Sequence, residues 1–252
     1  MRLDKAKKYV LLGSCFSQYM GARMEAEGYH AVCNPLGTLF NPESIRNTVL
    51  HALKGNADGL PMFRDEAMQE WRCWWANTRF RNEEEALSRA EVQGTFFELG
   101  KSLREADKLF ITLGTNVCYR LTEKTPYPMM CVSNCQRQAD VLFVEDRLSL
   151  DKVVEVMEET LEVLFAENPS LQVTFTLSPF RYKKYGWHGS QLSKATLLLA
   201  IDALQKEYPE RVDYFPSYEI MMDELRDYKY YADDGLHPNM EAVEIIWNRL
   251  CE

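Results

Sequence analysis

Asp234-Gly235-Leu236-His237 sets a carboxylate and an imidazole three residues apart on a turn. A carboxylate that orients an imidazole makes it a general base, and this spacing lets one loop supply both groups. Such a pair needs a nucleophile. At the other end of the chain the apolar run Tyr9-Val10-Leu11-Leu12 stops at Gly13-Ser14-Cys15. A strand that ends in Gly and a small nucleophile sets that nucleophile at the C-terminal edge of a sheet, where open α/β folds bind ligands. Both Ser14 and Cys15 are candidates. A thiol at a helix N-terminus has its thiolate stabilised, and a hydroxyl there has backbone N–H donors beside it. Taken alone, the segment reads as a helix cap at Ser14 or Ser17 with Cys15 as packing.

Two further turns could complete such a site. Asn34-Pro35-Leu36-Gly37 follows the second apolar run, and the backbone N–H of Gly37 is an oxyanion donor if the chain approaches the ligand there. Gly114-Thr115-Asn116 follows the third run, and the Asn116 amide is a second donor. In isolation each is an ordinary post-strand turn. Residues 13–16, Gly37, Asn116 and 234–237 are expected to line one pocket. His30 and His51 fall in apolar or helical contexts and read as structural, whereas His188, in a loop, is a possible substrate contact.

The elements that position these groups follow from hydrophobic patterning. Short apolar runs over Lys8–Leu12, His30–Cys33, Lys108–Leu113, Leu171–Leu177 and Val212–Phe215 read as buried parallel strands. Helical patterns cover Ser17–Glu27, Pro42–Leu53, Glu83–Ala106, Leu150–Glu167, Ser190–Glu207, Tyr218–Arg226 and Met240–Leu250, with Gly94 and Gly100 interrupting the third. The alternation predicts a three-layer α/β/α sandwich on a five-stranded parallel sheet, flavodoxin-like in arrangement. Gly55–Asn82 and Tyr119–Leu148 break the rhythm and read as insertions into a single domain over residues 1–252. In the first, Trp71, Trp74 and Trp75 are expected in the core, with a pocket wall as the alternative.

Composition narrows the class. The 252 residues are 46% hydrophobic and 12% aromatic, enough for a filled core. A net charge of −9 argues against a nucleic-acid partner, which needs a basic face. The 7 cysteines form no CxxC pair, so neither a zinc site nor a disulfide framework is expected, and reduced thiols in a cytoplasmic protein fit better. The first residues lack the apolar core of a signal peptide, and no run is long enough to span a membrane.

Gly13-Ser14-Cys15, Gly37, Asn116 and Asp234-x-x-His237 resemble, in order, the motifs of SGNH/GDSL hydrolases. The chain is more closely similar to the GSCFA family of that superfamily. The resemblance rests on Gly13-Ser14-Cys15-Phe16-Ser17, Asn34-Pro35-Leu36-Gly37, Asn41-Pro42, Leu177-Ser178-Pro179, Gln191-Leu192-Ser193-Lys194-Ala195 and Tyr214-Phe215-Pro216-Ser217-Tyr218-Glu219. It continues through Met221-Met222-Asp223-Glu224-Leu225 to the Asp234 loop. It implies an SGNH hydrolase-like fold and hydrolysis of ester bonds on an acylated glycan or small acyl substrate. Cys15 or Ser14 would be the nucleophile, His237 the base, Asp234 its orienter, and Gly37 and Asn116 the oxyanion donors, with no cofactor or metal. An O-acyltransferase and a non-catalytic binding module are the alternatives. By position Cys15 takes the nucleophile's place, and its thiol is expected to ionise near neutral pH. Three positions depart from the family's histidines: Ala76-Asn77-Thr78, Gln136 and Tyr182. Together they imply a changed site.

Overall fold

The computed structural model describes residues 3–54 and 59–252. The chain runs through β1 (Lys8–Gly13), α1 (Cys15–Ala26), β2 (His30–Cys33) and α2 (Pro42–Lys54), then β3 (Met62–Asp65), β4 (Glu70–Cys73) and β5 (Arg81–Asn82). After α3 (Glu85–Glu105) come β6 (Lys108–Leu113), β7 (Val117–Leu121), β8 (Phe143–Arg147) and α4 (Leu150–Glu167). The last third holds β9 (Gln172–Leu177), α5 (Gly186–Glu207), β10 (Val212–Phe215), the one-turn α6 (Ser217–Glu219) and α7 (Met240–Cys251).

Five of these strands form one sheet in the order β10-β9-β6-β1-β2, with every neighbour parallel. Burial on both faces explains why the central strands β1, β6 and β9 read as continuous apolar runs, while the edge strands β2 and β10 are only partly buried. Along β1, Tyr9 and Leu11 pack with Phe16, Met20 and Met24 of α1 and with Val243, Ile246 and Trp247 of α7. Val10 and Leu12 face the opposite layer, where α2, α3, α4 and α5 cover the sheet. α4 shows how sequence sets that layer: Val153, Val156, Met157, Thr160, Leu161 and Leu164 recur at spacings of three and four, and all are buried. Ser149 caps it, its Oγ accepting from Lys152 N at 3.2 Å.

Both insertions have structure of their own. β3, β4 and β5 make a three-stranded antiparallel sheet, and β7 pairs antiparallel with β8. Trp74, Leu121 and Val132 join them in a small second core, where Trp74 stacks on Phe63 at 3.8 Å between ring centroids. Trp71 and Trp75 pack on the main core, and Trp75 Nε1 donates to Cys131 O at 3.1 Å. Residues 55–58 of the first insertion lie outside the described residues.

Two expectations need correction. Gly94 and Gly100 do not interrupt α3, which is continuous. A Cβ at Gly100 would lie 2.1 Å from Ala52 O, so the glycine permits α2 and α3 to touch backbone to backbone. The helix expected over Tyr218–Arg226 is one α-turn followed by a π-helical stretch, Ile220–Glu224, closed by Leu225 N donating to Ile220 O at 2.9 Å. Its start is pinned to the sheet, where Ser217 Oγ donates to Leu177 O at 2.7 Å.

Candidate active site

The turn after β1 is held from three sides. Gly13 has φ +143°, and a Cβ there would lie 2.2 Å from Thr112 O, so only glycine lets β1 end so close to β6. Asn34 clasps it: Gly13 N donates to Asn34 Oδ1 at 2.9 Å, and Asn34 Nδ2 donates to Gly13 O at 3.0 Å. Ser14 N donates to Thr112 O at 3.1 Å. Ser14 itself is fully buried and serves as the N-cap of α1, its Oγ accepting from Phe16 N at 3.3 Å. Cys15, the first residue of α1, is half-buried.

The Cys15 sulfur faces its own backbone N–H and that of Phe16, both of which favour the thiolate. Burial is nonetheless the largest influence and raises its pKa above the usual thiol value, with the Asp234 charge adding to it; the Lys194 charge and the two N–H groups oppose the rise. The expectation of a thiol ionising near neutral pH is therefore corrected: the desolvation of a half-buried sulfur outweighs the helix terminus.

The Asp234 loop has the architecture of an oriented imidazole. His237 Nδ1 lies 2.6 Å from Asp234 Oδ2, and Asp234 Oδ1 accepts from Leu236 N at 2.8 Å and His237 N at 3.0 Å. The backbone N–H of His237, then its ring, then the N–H of Leu236 pull the Asp234 carboxyl down to about 2. With Nδ1 engaged by a carboxylate, Nε2 is the atom left for proton transfer. Arg181 N donates to Leu236 O at 3.1 Å, tying this loop to the end of β9. The Arg181 guanidinium lies over Trp187, Tyr228 and Tyr231 at 4.1, 5.7 and 5.1 Å. Phe180 packs between His237, at 4.3 Å between ring centroids, and Tyr182, at 4.8 Å. Among the described residues, His237 makes no hydrogen bond to Cys15 or Ser14.

The expected oxyanion donors are arranged differently. Gly37 has φ +107°, and its N–H is donated to Asn34 O at 2.8 Å, which closes the turn rather than serving a ligand. Asn116 is buried; its Nδ2 donates to Leu148 O at 2.7 Å and its N to Ser193 Oγ at 3.0 Å, binding the β6–β7 turn to the start of α4 and to α5. The cavity beside them, about 270 Å³, is walled by Phe40, Asn41, Thr115, Val132, Tyr182 and Tyr185 among others, and Cys15, Gly37, Asn116 and His237 are not in its lining.

Two groups that the motifs contain without a role stand out in the structure. Lys194 lies on the buried face of α5 with 1% of its surface exposed. Its Nζ donates to Gly114 O at 2.8 Å and Ser178 O at 2.6 Å, and among the described residues no carboxylate partners it. Burial lowers its pKa to about 7, and the Cys15 charge opposes that fall. The sequence does carry a signal: buried positions on α5 recur at Ser190, Ser193, Lys194, Leu197, Ala200, Ile201 and Leu204, and a lysine in that register is out of character. The second is Tyr182, whose buried hydroxyl has no hydrogen-bond partner among the described residues. Of the other departures, Gln136 is buried and donates through Nε2 to Cys73 O at 3.0 Å and to Ala76 O, while Asn77 packs against Gly37. His188 is exposed, and His51 packs edge-on against Trp75 and Phe96.

Glu43, Cys118 and Cys131 bring one ligand atom each within 4.8 Å of one another, a trio the cysteine spacing did not reveal. Arg120 already holds both Glu43 oxygens, at 2.6 and 2.9 Å, so the carboxylate is neutralised where a cation would need it. All seven cysteines are free thiols, and no helix among the described residues is long and apolar enough to cross a membrane.

A five-stranded parallel sheet with a Gly-Ser-Cys turn after β1 and an Asp-x-x-His loop before α7 defines an α/β protein. The chain belongs to the GSCFA family, whose model matches residues 8–250. No curated protein matches the sequence. Among solved structures it is similar to an acetyl xylan esterase from the rumen bacterium Butyrivibrio proteoclasticus, at 13% identity and TM-score 0.49, over 99% of this chain and 63% of that one. It is also similar to a candidate acylhydrolase from Bacteroides fragilis, at 12% identity and TM-score 0.47, over 99% of this chain and 88% of the other. A third likeness is a carbohydrate esterase family 3 structure from Talaromyces cellulolyticus, at 10% identity and TM-score 0.43, over 97% and 94%.

Proposed function

We propose that this protein hydrolyses ester bonds by covalent catalysis at Cys15, on an acylated glycan or a small acyl substrate. The observation that carries the reading is the Asp234–His237 pair, 2.6 Å apart, in a loop whose Asp234 charge acts on the Cys15 thiol. Ser14 is the weaker nucleophile because its hydroxyl is fully buried and caps α1.

In this reading His237 Nε2 takes the thiol proton and the Cys15 sulfur attacks the acyl carbon, forming a C–S bond as the carbonyl electrons move onto oxygen. His237 returns the proton to the leaving alcohol oxygen as the C–O bond breaks. Water then attacks the thioester as His237 accepts its proton; the C–S bond breaks, the acid leaves, and His237 returns that proton to sulfur to restore the thiol. The backbone N–H of Cys15, at the first position of α1, is a main-chain donor beside the reacting sulfur for the oxyanion, while that of Phe16 is shared with Ser14 Oγ. The chemistry calls for no metal or cofactor. Turnover of p-nitrophenyl acetate and of acetylated sugars tests it: Cys15→Ala and His237→Ala should each abolish hydrolysis, and a wild-type protein inert on the whole panel would sink the reading.

A second reading, a binding module that holds a ligand without turnover, is favoured by the raised pKa of Cys15 and by the missing bond between His237 and Cys15. Ligand binding that survives Cys15→Ala, with no wild-type turnover, would establish it.

A further inference from the structure

An ester hydrolase must stabilise the oxygen that becomes negative when the carbonyl is attacked, and buried donors aimed at that oxygen contribute the most. In this chain the Gly37 N–H is donated to Asn34 O, and Asn116 Nδ2 to Leu148 O. One side chain at the same sheet edge is differently placed. The Tyr182 hydroxyl is buried and, among the described residues, makes no hydrogen bond. An unpaired buried hydroxyl is costly to folding, so its persistence calls for a partner that arrives later.

Its surroundings say where that partner binds. A Cβ at Gly114 would lie 2.3 Å from the Tyr182 oxygen, so the hydroxyl sits directly over the end of β6, beside the turn that carries Cys15. The Cys15 and Tyr182 groups are close enough that the charge of one acts on the other. Phe180 packs between Tyr182 and the catalytic imidazole, and Tyr182 also walls the cavity of about 270 Å³. Beneath it Lys194 Nζ donates to Gly114 O at 2.8 Å and lies 5.2 Å from the Tyr182 ring centroid, a buried amine that no carboxylate among the described residues pairs with.

We propose that the Tyr182 hydroxyl is the side-chain oxyanion donor of the Cys15 site, and that Lys194 is a positioning residue that holds Gly114 and adds positive charge beneath it. This rests on the Cys15 hydrolase reading. Burial drives the Tyr182 pKa well above its ordinary value, so the phenol keeps its proton throughout the working range and acts as a donor. The hydroxyl donates to the carbonyl oxygen as the C–S bond forms and is released when the carbonyl re-forms; no proton changes owner.

Tyr182→Phe keeps the ring and removes only the donor. With p-nitrophenyl acetate and reduced protein, kcat should fall by about 10²-fold while KM stays within about twofold, as for loss of one oxyanion donor. The melting temperature should stay level or rise, and iodoacetamide should label Cys15 at the wild-type rate, because access and thiolate formation do not need the hydroxyl. The inference is overturned if Tyr182→Phe keeps turnover within about threefold of wild type while Cys15→Ala abolishes it, an outcome that leaves the hydrolase reading standing. It is overturned as well if the variant loses activity in step with a lowered melting temperature, which marks a structural role. A wild-type protein without ester turnover removes both.

Discussion

Replacing Lys194 by methionine should remove a pH-dependent penalty on folding. The unfolded lysine titrates at 10.5 and the buried one at about 7, so between those values the unfolded chain binds a proton that the folded chain does not. Stability therefore rises with pH across that window, and below pH 7 both forms are charged and the penalty is complete. At about 1.4 kcal/mol per unit the gap is about 5 kcal/mol. Methionine fills a similar volume, but it leaves Gly114 O and Ser178 O without their donor, at about 1 kcal/mol each. The variant should thus be the more stable at pH 6, with its advantage shrinking by about 2.5 kcal/mol by pH 9. Urea unfolding of both proteins under reducing conditions at pH 6, 7, 8 and 9 measures this, and taking the difference cancels the titrating groups that Lys194 does not act on, Cys15 being the exception. A difference that stays constant within about 0.5 kcal/mol across the series would refute the buried, neutralisable lysine.

Asp234→Asn should lower turnover by about 10³–10⁴-fold with little change in melting temperature, because the carboxylate orients the imidazole yet its side chain is 44% exposed; loss of fold instead of kcat would argue for a structural loop. Because Asp234 titrates at about 2, the turnover should show no second acid limb from this carboxyl above about pH 4, which a pH–rate profile checks. Iodoacetamide labelling of Cys15 should keep accelerating above pH 9 instead of levelling near 7, and Lys194→Met should slow it at every pH where the lysine is charged; a plateau by pH 8 would contradict the desolvated thiol. Cys33 and Cys73, pushed up to about 12 by burial, should label more slowly still.

The central strands β1, β6 and β9 were legible because they are buried on both faces and therefore written as apolar runs; the edge strands β2 and β10 are only partly buried, yet they too begin and end where their short apolar runs do. The insertions were not. β4 is Glu-Trp-Arg-Cys, four residues whose strand character comes from pairing with β3 and not from its own pattern. α5 begins four residues before the expected start because Gly186-Trp187-His188-Gly189 carries no apolar periodicity. At the site, Asp234 and His237 were legible because both belong to one loop, and their geometry depends on local backbone alone. The Gly37 N–H closes a local turn on Asn34 O three residues earlier, whereas the acceptor of Asn116, Leu148 O, lies on a distant segment that sequence cannot bring beside it. Tyr182 was visible only as a missing histidine, since an unpartnered hydroxyl is a fact about space.

The most direct test of the account is the site of covalent acylation. Protein mixed with p-nitrophenyl acetate, quenched in acid within the first turnover and digested, should carry one acetyl group on the peptide containing Ser14 and Cys15. The account predicts a thioester on Cys15, labile to hydroxylamine at neutral pH and absent from Cys15→Ala, with Ser14→Ala still acylated. An alkali-labile oxygen ester on Ser14 that persists in Cys15→Ala would contradict it.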